Sequence, residues 1–342
     1  AASDVYKRQR QRNQLLVRRL APGRSCKNFA IMGDNGIATS DPASMIETLR
    51  NHWKSVFSHK ETDNELRQSW LLNDIENLPS DYSSHLPTTL VPLQTFRSAI
   101  LGTGGGSPGK DGIPYKAWRR IVDLAAPAFH LAYGELVGPN GLELVRQDWS
   151  TFNDSFMVFL PKKPSGTLID GTDFYTASNM RPLNITNTDN RIICNAVRLH
   201  IEPIVGKGVS EMQRGFIKGR SLLANVIDIE EGMISSACSY PDAAAVLFDF
   251  EAAFPSVSHD FIRDTLHRRG WPCWVKRLID ILYWSNNCDI SMGGSCGSGF
   301  KISAGIRQGC PLSPLIFAVI SDVLIRRITR ALSDALLRAY AD

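Results

Sequence analysis

The chain has 342 residues, 43% hydrophobic and 21% charged, a balance that supports a large buried core in two or three units and excludes a wholly disordered or low-complexity polypeptide. A net charge of +4 is too small to name a partner by itself. Seven cysteines, an odd count with no C-x-x-C pair and no His at zinc-finger spacing, fit free thiols in a reducing compartment best.

Basic residues open the chain. Lys7, Arg8, Arg10, Arg12, Arg18, Arg19, Arg24 and Lys27 stand against a single acid, Asp4, which reads either as a solvated arm or as a contact to nucleic-acid phosphates. There is no apolar signal-peptide core at the start. Residues 10–90 then read as helical pieces joined by turns. Asp34-Asn35-Gly36 signals a turn. Asp41-Pro42 starts a helix with Asp as cap and Pro in the first position, carrying Met45, Ile46, Leu49, Trp53, Val56 and Phe57 along one stripe. Glycines crowd Ser107-Pro108-Gly109-Lys110-Asp111-Gly112-Ile113-Pro114, but Asp111 follows Lys110, so the phosphate-loop spacing G-x-x-x-x-G-K-[ST] is not met.

From residue 154 onward, short apolar strands alternate with amphipathic helices, the pattern of an α+β fold. A strand covers 156–160 and a helix 191–204. A continuous apolar strand is expected over 243–250. Ser258 caps a helix ending at Gly270, and Pro272 opens another through Trp274, Leu278, Ile281 and Leu282. Residues 288–292 and 300–303 read as a hairpin, Ser313-Pro314 as the cap of the next helix, and 336–342 as the start of a strand. The apolar run from Leu312 to Leu324 is broken by Ser313, Pro314, Ser321 and Asp322, and no run reaches the roughly 18 residues of a membrane span.

Two carboxylates each end a predicted strand: Asp249 in Phe248-Asp249-Phe250-Glu251-Ala252-Ala253-Phe254, and Asp342 in Ala339-Tyr340-Ala341-Asp342. Such a pair is what two-metal phosphoryl transfer requires. Between them lies Ser303-Ala304-Gly305-Ile306-Arg307-Gln308-Gly309-Cys310-Pro311-Leu312-Ser313-Pro314-Leu315. Its glycines let backbone approach a ligand closely, and Gln308 can hydrogen-bond a nucleotide or base without adding charge. Upstream stand Leu160-Pro161-Lys162-Lys163-Pro164, Arg181-Pro182-Leu183 and Gln213-Arg214-Gly215-Phe216-Ile217-Lys218-Gly219-Arg220-Ser221. In this order, over residues 95–342, these segments resemble the reverse transcriptases of LINE-type non-LTR retrotransposons.

The resemblance implies an α+β right-hand polymerase, with a basic arm and helical linker over 1–90, fingers over 91–240 and a partial palm over 241–342. The palm sheet would be antiparallel, and the chain would end before a thumb. The implied activity is RNA-directed DNA polymerisation: an RNA template copied with dNTPs onto the 3′ end of a DNA primer or target, with two Mg²⁺ ions, or Mn²⁺ in their place. Asp249 and Asp342 would be the catalytic carboxylates and, with the backbone carbonyl of Phe250, the metal ligands. Phe254, Gln308, Gly309, Lys162 and Arg181 would hold the nucleotide, with Phe254 beneath the sugar where a 2′-hydroxyl would clash. Lys163, Arg191, Arg214, Lys218, Arg220 and Arg307 would hold template and primer.

Three positions depart from the family pattern. Ala252 and Pro255 stand where Lys and Asp are usual, and Arg191 where Lys is common; Pro255 also favours extended backbone at Phe254. The acidic residue expected after Asp342 lies past the last residue, so this chain alone is expected to be inactive or nearly so. Two alternatives are a non-catalytic nucleic-acid-binding relic, supported by Ala252 and Pro255, and a group II intron maturase. A nuclear or cytoplasmic location is expected and no membrane contact; the oligomeric state is not legible.

Overall fold

The computed structural model describes residues 29–340 apart from Asp34, Asn77, Ser80 and Asp81. The basic arm and Asp342 therefore lie outside the described residues. A hairpin comes first: β1 (Phe29–Met32) pairs antiparallel with β2 (Ala38–Thr39) across a turn in which Gly36 takes a φ of 76°. Sequence pattern suggested only helices before residue 90, and this pair corrects it. Strands this short give almost no periodic signal, and β1 is fixed instead by a parallel partner far along the chain.

α1 (Pro42–Val56) follows, with Asp41 accepting a hydrogen bond from Ser44 N at 2.9 Å and with Met45, Ile46, Leu49 and Trp53 buried along its stripe. Then come α2 (Asn64–Glu76), α3 (Leu93–Leu101), α4 (Tyr115–Arg120), α5 (Val122–Val137) and α6 (Gly141–Gln147). Four strands succeed them: β3 (Ser155–Pro161), β4 (Gly166–Thr167), β5 (Asp173–Tyr175) and β6 (Met180–Thr186). The helices α7 (Thr188–Gly208), α8 (Leu222–Ser239), α9 (Ala253–Ser256), α10 (His259–Arg268) and α11 (Cys273–Tyr283) lead to the hairpin β7 (Asn286–Met292) and β8 (Ser295–Ile302). Its turn is Gly293-Gly294, both at positive φ, as a two-residue hairpin connection requires. α12 (Ser313–Ala331) closes the described elements. Leu312, not Ser313, stands at its N-cap position, and no side chain caps it.

The strands form two four-stranded sheets, β2-β1-β5-β4 and β6-β3-β7-β8. Both are mixed. In the second, β3 pairs antiparallel with β6 but parallel with β7, Ser155 facing Cys288. Within the span expected as palm, the ladder formed among the described residues, β7 with β8, is antiparallel; β3 and β7 are joined by a long crossover, which permits their parallel pairing. α1 covers this sheet, burying Leu49, Trp53 and Phe57 against Met157, Phe159, Ile290 and Phe300. A larger core gathers α3, α5, α7, α10, α11 and α12. No described helix is long and apolar enough to cross a membrane.

Two expected strands do not form. Residues 243–250 pair with no described strand and stay open to solvent, with Leu247 at 87% and Phe248 at 76% exposure. An apolar run becomes a strand only when a neighbour takes its backbone groups and a facing layer covers its side chains. Among the described residues neither is present. The segment expected as a strand from 336 contributes a single bridge, Gln213 to Ala339. α8, just before the open run, buries only Asn225.

A buried charge network ties α2 to the rest of the fold. Arg269, just past α10, donates to Asp74 of α2 through Nε and Nη2, both at 2.6 Å, and its Nη1 lies 3.0 Å from Asp322 of α12. Asp322 also accepts from Arg326 at 2.7 Å and from Ser210 N at 2.8 Å. Burial of these charges is tolerable only because every one is paired.

Candidate active site

Two turns distant in sequence meet backbone to backbone. After the open run 243–250, Ala252 adopts φ 52° and ψ 44° and turns the chain into the short α9. Residues 303–310 cross it: Gly305 N donates to Val257 O and Ile306 N to Phe254 O, both at 2.7 Å. Glycine is required at two points. Gly305, at φ 90°, faces Pro255, and Gly309, at φ 108°, faces the carbonyl oxygen of Asn184, where a Cβ would not fit. Asn184 N donates to Gln308 O at 2.8 Å, which stitches the same turn to β6.

Phe254 is held inside this junction. Its ring stacks on Phe317 of α12, with centroids 4.4 Å apart and planes at 11°, and meets Phe216 at 5.7 Å and 89°. Pro255 was expected to keep Phe254 extended, yet Phe254 lies within the turn of α9. The preference is overridden by the Ile306 hydrogen bond to its carbonyl and by the stacked ring. His259 lies on the other side, its Nε2 2.9 Å from Gly305 O and its ring 4.6 Å from that of Tyr283. Burial pulls the His259 pKa down to about 4, so the ring is neutral at physiological pH and donates to Gly305.

Asp249 and Phe250 are exposed on the open run, and Asp249 makes no hydrogen bond or ion pair with another described residue. Its carboxylate and the Phe250 carbonyl are hard oxygen donors, the type that suits Mg²⁺ and Mn²⁺, so the donor set fits such ions. The second expected ligand, Asp342, is outside the described residues, and no cluster of three or more His, Cys, Asp or Glu suited to a metal occurs among the described ones.

The basic residues divide into two groups. Lys162, Lys163 and Arg181 are exposed and share one end of the β3–β6 pair, where Leu160 faces Arg181. Lys218 is exposed as well. The others turn inward. Arg191, 9% exposed, packs 4.9 Å from the Tyr115 ring and donates to Ser107 O, holding the glycine-rich loop against α7. Lys110 of that loop reaches Asp289 of β7 at 2.7 Å. Arg214 pairs with Asp228 at 2.7 Å, beside Arg338 at 2.6 Å. Arg220 donates to the carbonyls of Gly206, Val209, Ser210 and Gln213 around the C-terminus of α7.

Arg307 is the clearest departure from expectation. Only 3% exposed, it donates to Leu282 O at 2.6 Å and to Asn153 Oδ1 at 3.3 Å, and reaches no surface where a template could lie. Its Nε and Nη1 have no hydrogen-bond partner among the described residues. The buried thiols Cys194 and Cys310 stand nearby. A hydrogen bond from Cys194 pulls the Cys310 thiol below its ordinary range, burial opposes this, and the Arg307 charge adds to the lowering.

Phe216, Phe317 and His259 belong to this site and were not singled out from sequence. Phe317 reads as ordinary helix core, and nothing local to Phe216 or His259 tells which residue, tens of positions away, each touches.

Comparison with known proteins adds to this geometry. The family model for reverse transcriptase (RNA-dependent DNA polymerase) matches residues 160–342. A curated Xenopus laevis protein, the transposon TX1 uncharacterized 149 kDa protein, is 22% identical over 321 residues, covering 91% of this chain and 23% of that protein. The retrovirus-related Pol polyprotein from the type-1 retrotransposable element R2 of Nasonia vitripennis is 26% identical over 225 residues, covering 64% of this chain and 20% of its own length. The chain thus spans between a fifth and a quarter of these two relatives. Among solved structures, the partial Cas6-RT-Cas1–Cas2 complex aligns with a TM-score of 0.33 at 14% identity, over 74% of this chain and 36% of that one.

Proposed function

Because the chain belongs to the reverse transcriptase family, on its LINE-type non-LTR side, we propose that it supplies the fingers and part of the palm of an RNA-directed DNA polymerase. The polymerase adds deoxynucleotides to the 3′ end of a DNA primer or target along an RNA template. The fingers run over 91–240 and the palm over 241–342. The observation that carries this reading is the junction of residues 252–257 with 303–310, which ties Phe254 and Val257 to Ile306 and Gly305 through backbone hydrogen bonds of 2.7 Å, while Gln308 of the same turn is held to β6. That junction lies a few residues from Asp249, which has no hydrogen bond or ion pair to another described residue.

Each residue then has a task its surroundings allow. Asp249, the Phe250 carbonyl and Asp342 would hold two divalent cations, Mg²⁺ or Mn²⁺. The chemistry such ions would supply there is a lowered pKa of the primer hydroxyl and neutralisation of the departing pyrophosphate. Phe254 forms the floor under the sugar, and its stacked partner Phe317 keeps that floor from sinking. Gln308 and Gly309 face the nucleotide from the second turn. Lys162 and Arg181 take the triphosphate and Lys163 and Lys218 the nucleic-acid backbone; all four are exposed. Arg191, Arg214, Arg220 and Arg307 act one step back, holding the loops that present these groups.

Primer extension on an RNA template with dNTPs and Mg²⁺ tests the proposal, measured on this chain and on a form lengthened past residue 342 to the span of its relatives. In the lengthened form, Asp249→Ala is expected to lower the rate about a thousandfold or more, as loss of several kcal/mol of charge stabilisation requires. Its unfolding midpoint should not move, since the carboxylate is exposed and has no partner among the described residues. Extension that survives Asp249→Ala would sink the reading. RNA binding without extension in the lengthened wild type would favour the relic instead.

A further inference from the structure

Among the described residues only three non-glycine positions have positive φ: Phe216 at 60°, Ala252 at 52° and Ser285 at 44°. Two of the three bear on one side chain. Ala252 lies two residues before Phe254, and the Phe216 ring meets the Phe254 ring. Left-handed backbone is a genuine outlier for a residue as bulky as phenylalanine, and it persists only where the surroundings over-determine it.

The surroundings of Phe216 do so. On one side, Gln213 accepts from Gly215 N at 2.8 Å and donates to Ser321 Oγ of α12 at 3.0 Å. On the other, Ile217 is buried and Arg220 grips four carbonyls. The loop is clamped on both flanks of the strained residue. What the clamp presents is not a core side chain, because Phe216 as a residue remains 41% exposed. An apolar ring forced out of the favoured backbone region and left half in solvent gains little for the fold.

Its contact supplies the reason. Phe317 lies parallel to Phe254 at 11°, and Phe216 stands at 89° to it. The terminal torsion of a phenylalanine is soft, so a single stacked neighbour would let the ring swing. A parallel neighbour and a perpendicular one together define its plane. We propose that Phe216 is a positioning residue that fixes the ring plane of Phe254 and thereby sets the preference for deoxyribo- over ribonucleoside triphosphates. This rests on the reading of Phe254 as the floor of the sugar site.

The test compares kcat/KM for one dNTP and the matching rNTP on the lengthened polymerase, in wild type, Phe216→Leu, Phe216→Gly, Phe216→Tyr and Phe254→Val. Trapping of a stalled primer–template complex by each nucleotide gives the same ratio without turnover. Phe216→Leu is expected to lower the dNTP/rNTP ratio about tenfold, and Phe216→Tyr, which keeps the ring, to retain it. Phe216→Gly relieves the backbone while removing the ring. It should unfold no earlier than wild type yet lose the ratio to the same extent, which a merely structural residue would not do. If Phe254→Val collapses the ratio while Phe216→Leu and Phe216→Gly leave it unchanged, the role of Phe216 is overturned and the sugar site stands. If Phe254→Val itself leaves the ratio unchanged, the sugar-site reading is what fails.

Discussion

Gly305 and Pro255 touch through backbone alone: a Cβ on Gly305 would stand 2.6 Å from the Pro255 carbonyl oxygen and 2.8 Å from its Cα. The two turns of the site are therefore as close as two chains can come, and the hydrogen bonds from Gly305 and Ile306 depend on that approach.

Gly305→Ala should push the turns apart and also strain a backbone at φ 90°. We expect a loss of about 2–4 kcal/mol, read from the urea midpoint at unchanged slope. A shift below about 0.5 kcal/mol, the range of ordinary surface changes, would show that the junction yields easily.

Arg269→Met should be among the most damaging single changes, since it strands Asp74 in the interior and leaves Arg326 as the remaining cation on Asp322. Breaking a buried pair from one side costs about 3–5 kcal/mol. Adding Asp74→Asn to Arg269→Met should recover part of the loss, because one uncompensated charge is then gone. A double variant no more stable than the single one would mean that packing, not charge, dominates there.

His259 makes stability fall with acid in a defined window. Its ring titrates at about 4 in the folded chain because burial disfavours the cation, against the ordinary 6.5. Between these values the folded state binds fewer protons than the unfolded one, so stability is full above pH 6.5 and declines as pH drops toward 4, by on the order of 3 kcal/mol. His259→Gln, which keeps a donor for Gly305 O, should flatten that part of the curve. Parallel curves for wild type and variant would exclude His259 as its source.

Cys310→Ser should matter more in base than in acid. The hydroxyl cannot ionise, so Arg307 loses the thiol whose pKa its own charge helps to lower. We expect a destabilisation on the order of 1–3 kcal/mol at pH 8. The gap should narrow by pH 5, where the wild-type thiol is protonated as well. An equal gap at both values would mean that the thiol pair is neutral throughout.

Local chemistry announced much of the fold. The Asp41 cap, the stripe through Leu49 and Trp53, the strand running into Pro161 and the Ser258 cap each depend on neighbours within a few residues, and each formed; the hairpin after residue 288 formed too, but its return strand starts at Ser295 rather than at residue 300. What sequence could not give was the partner at a distance. Lys162 and Arg307 are both cations beside recognisable motifs, but one ends at a strand terminus in solvent and the other finds Leu282 O and Asn153 inside. The apolar character of residues 243–250 is plain, yet whether they form a strand depends on a neighbour that the run itself does not specify. The Phe216–Phe254 contact is legible from neither motif alone.

The parallel pairing of β3 with β7 also governs when the molecule can form. Ser155 must wait for Cys288, roughly 130 residues later, which at about 5–20 residues per second of synthesis is on the order of ten seconds. During that time β3 can close with β6 as a local hairpin, while its other edge stays bare in a nascent polypeptide. Final folding is therefore a late event, gated by translation of the β7–β8 hairpin. Ribosome stalling before residue 302 would release a product with an open β edge, an obvious client for holding chaperones or for aggregation.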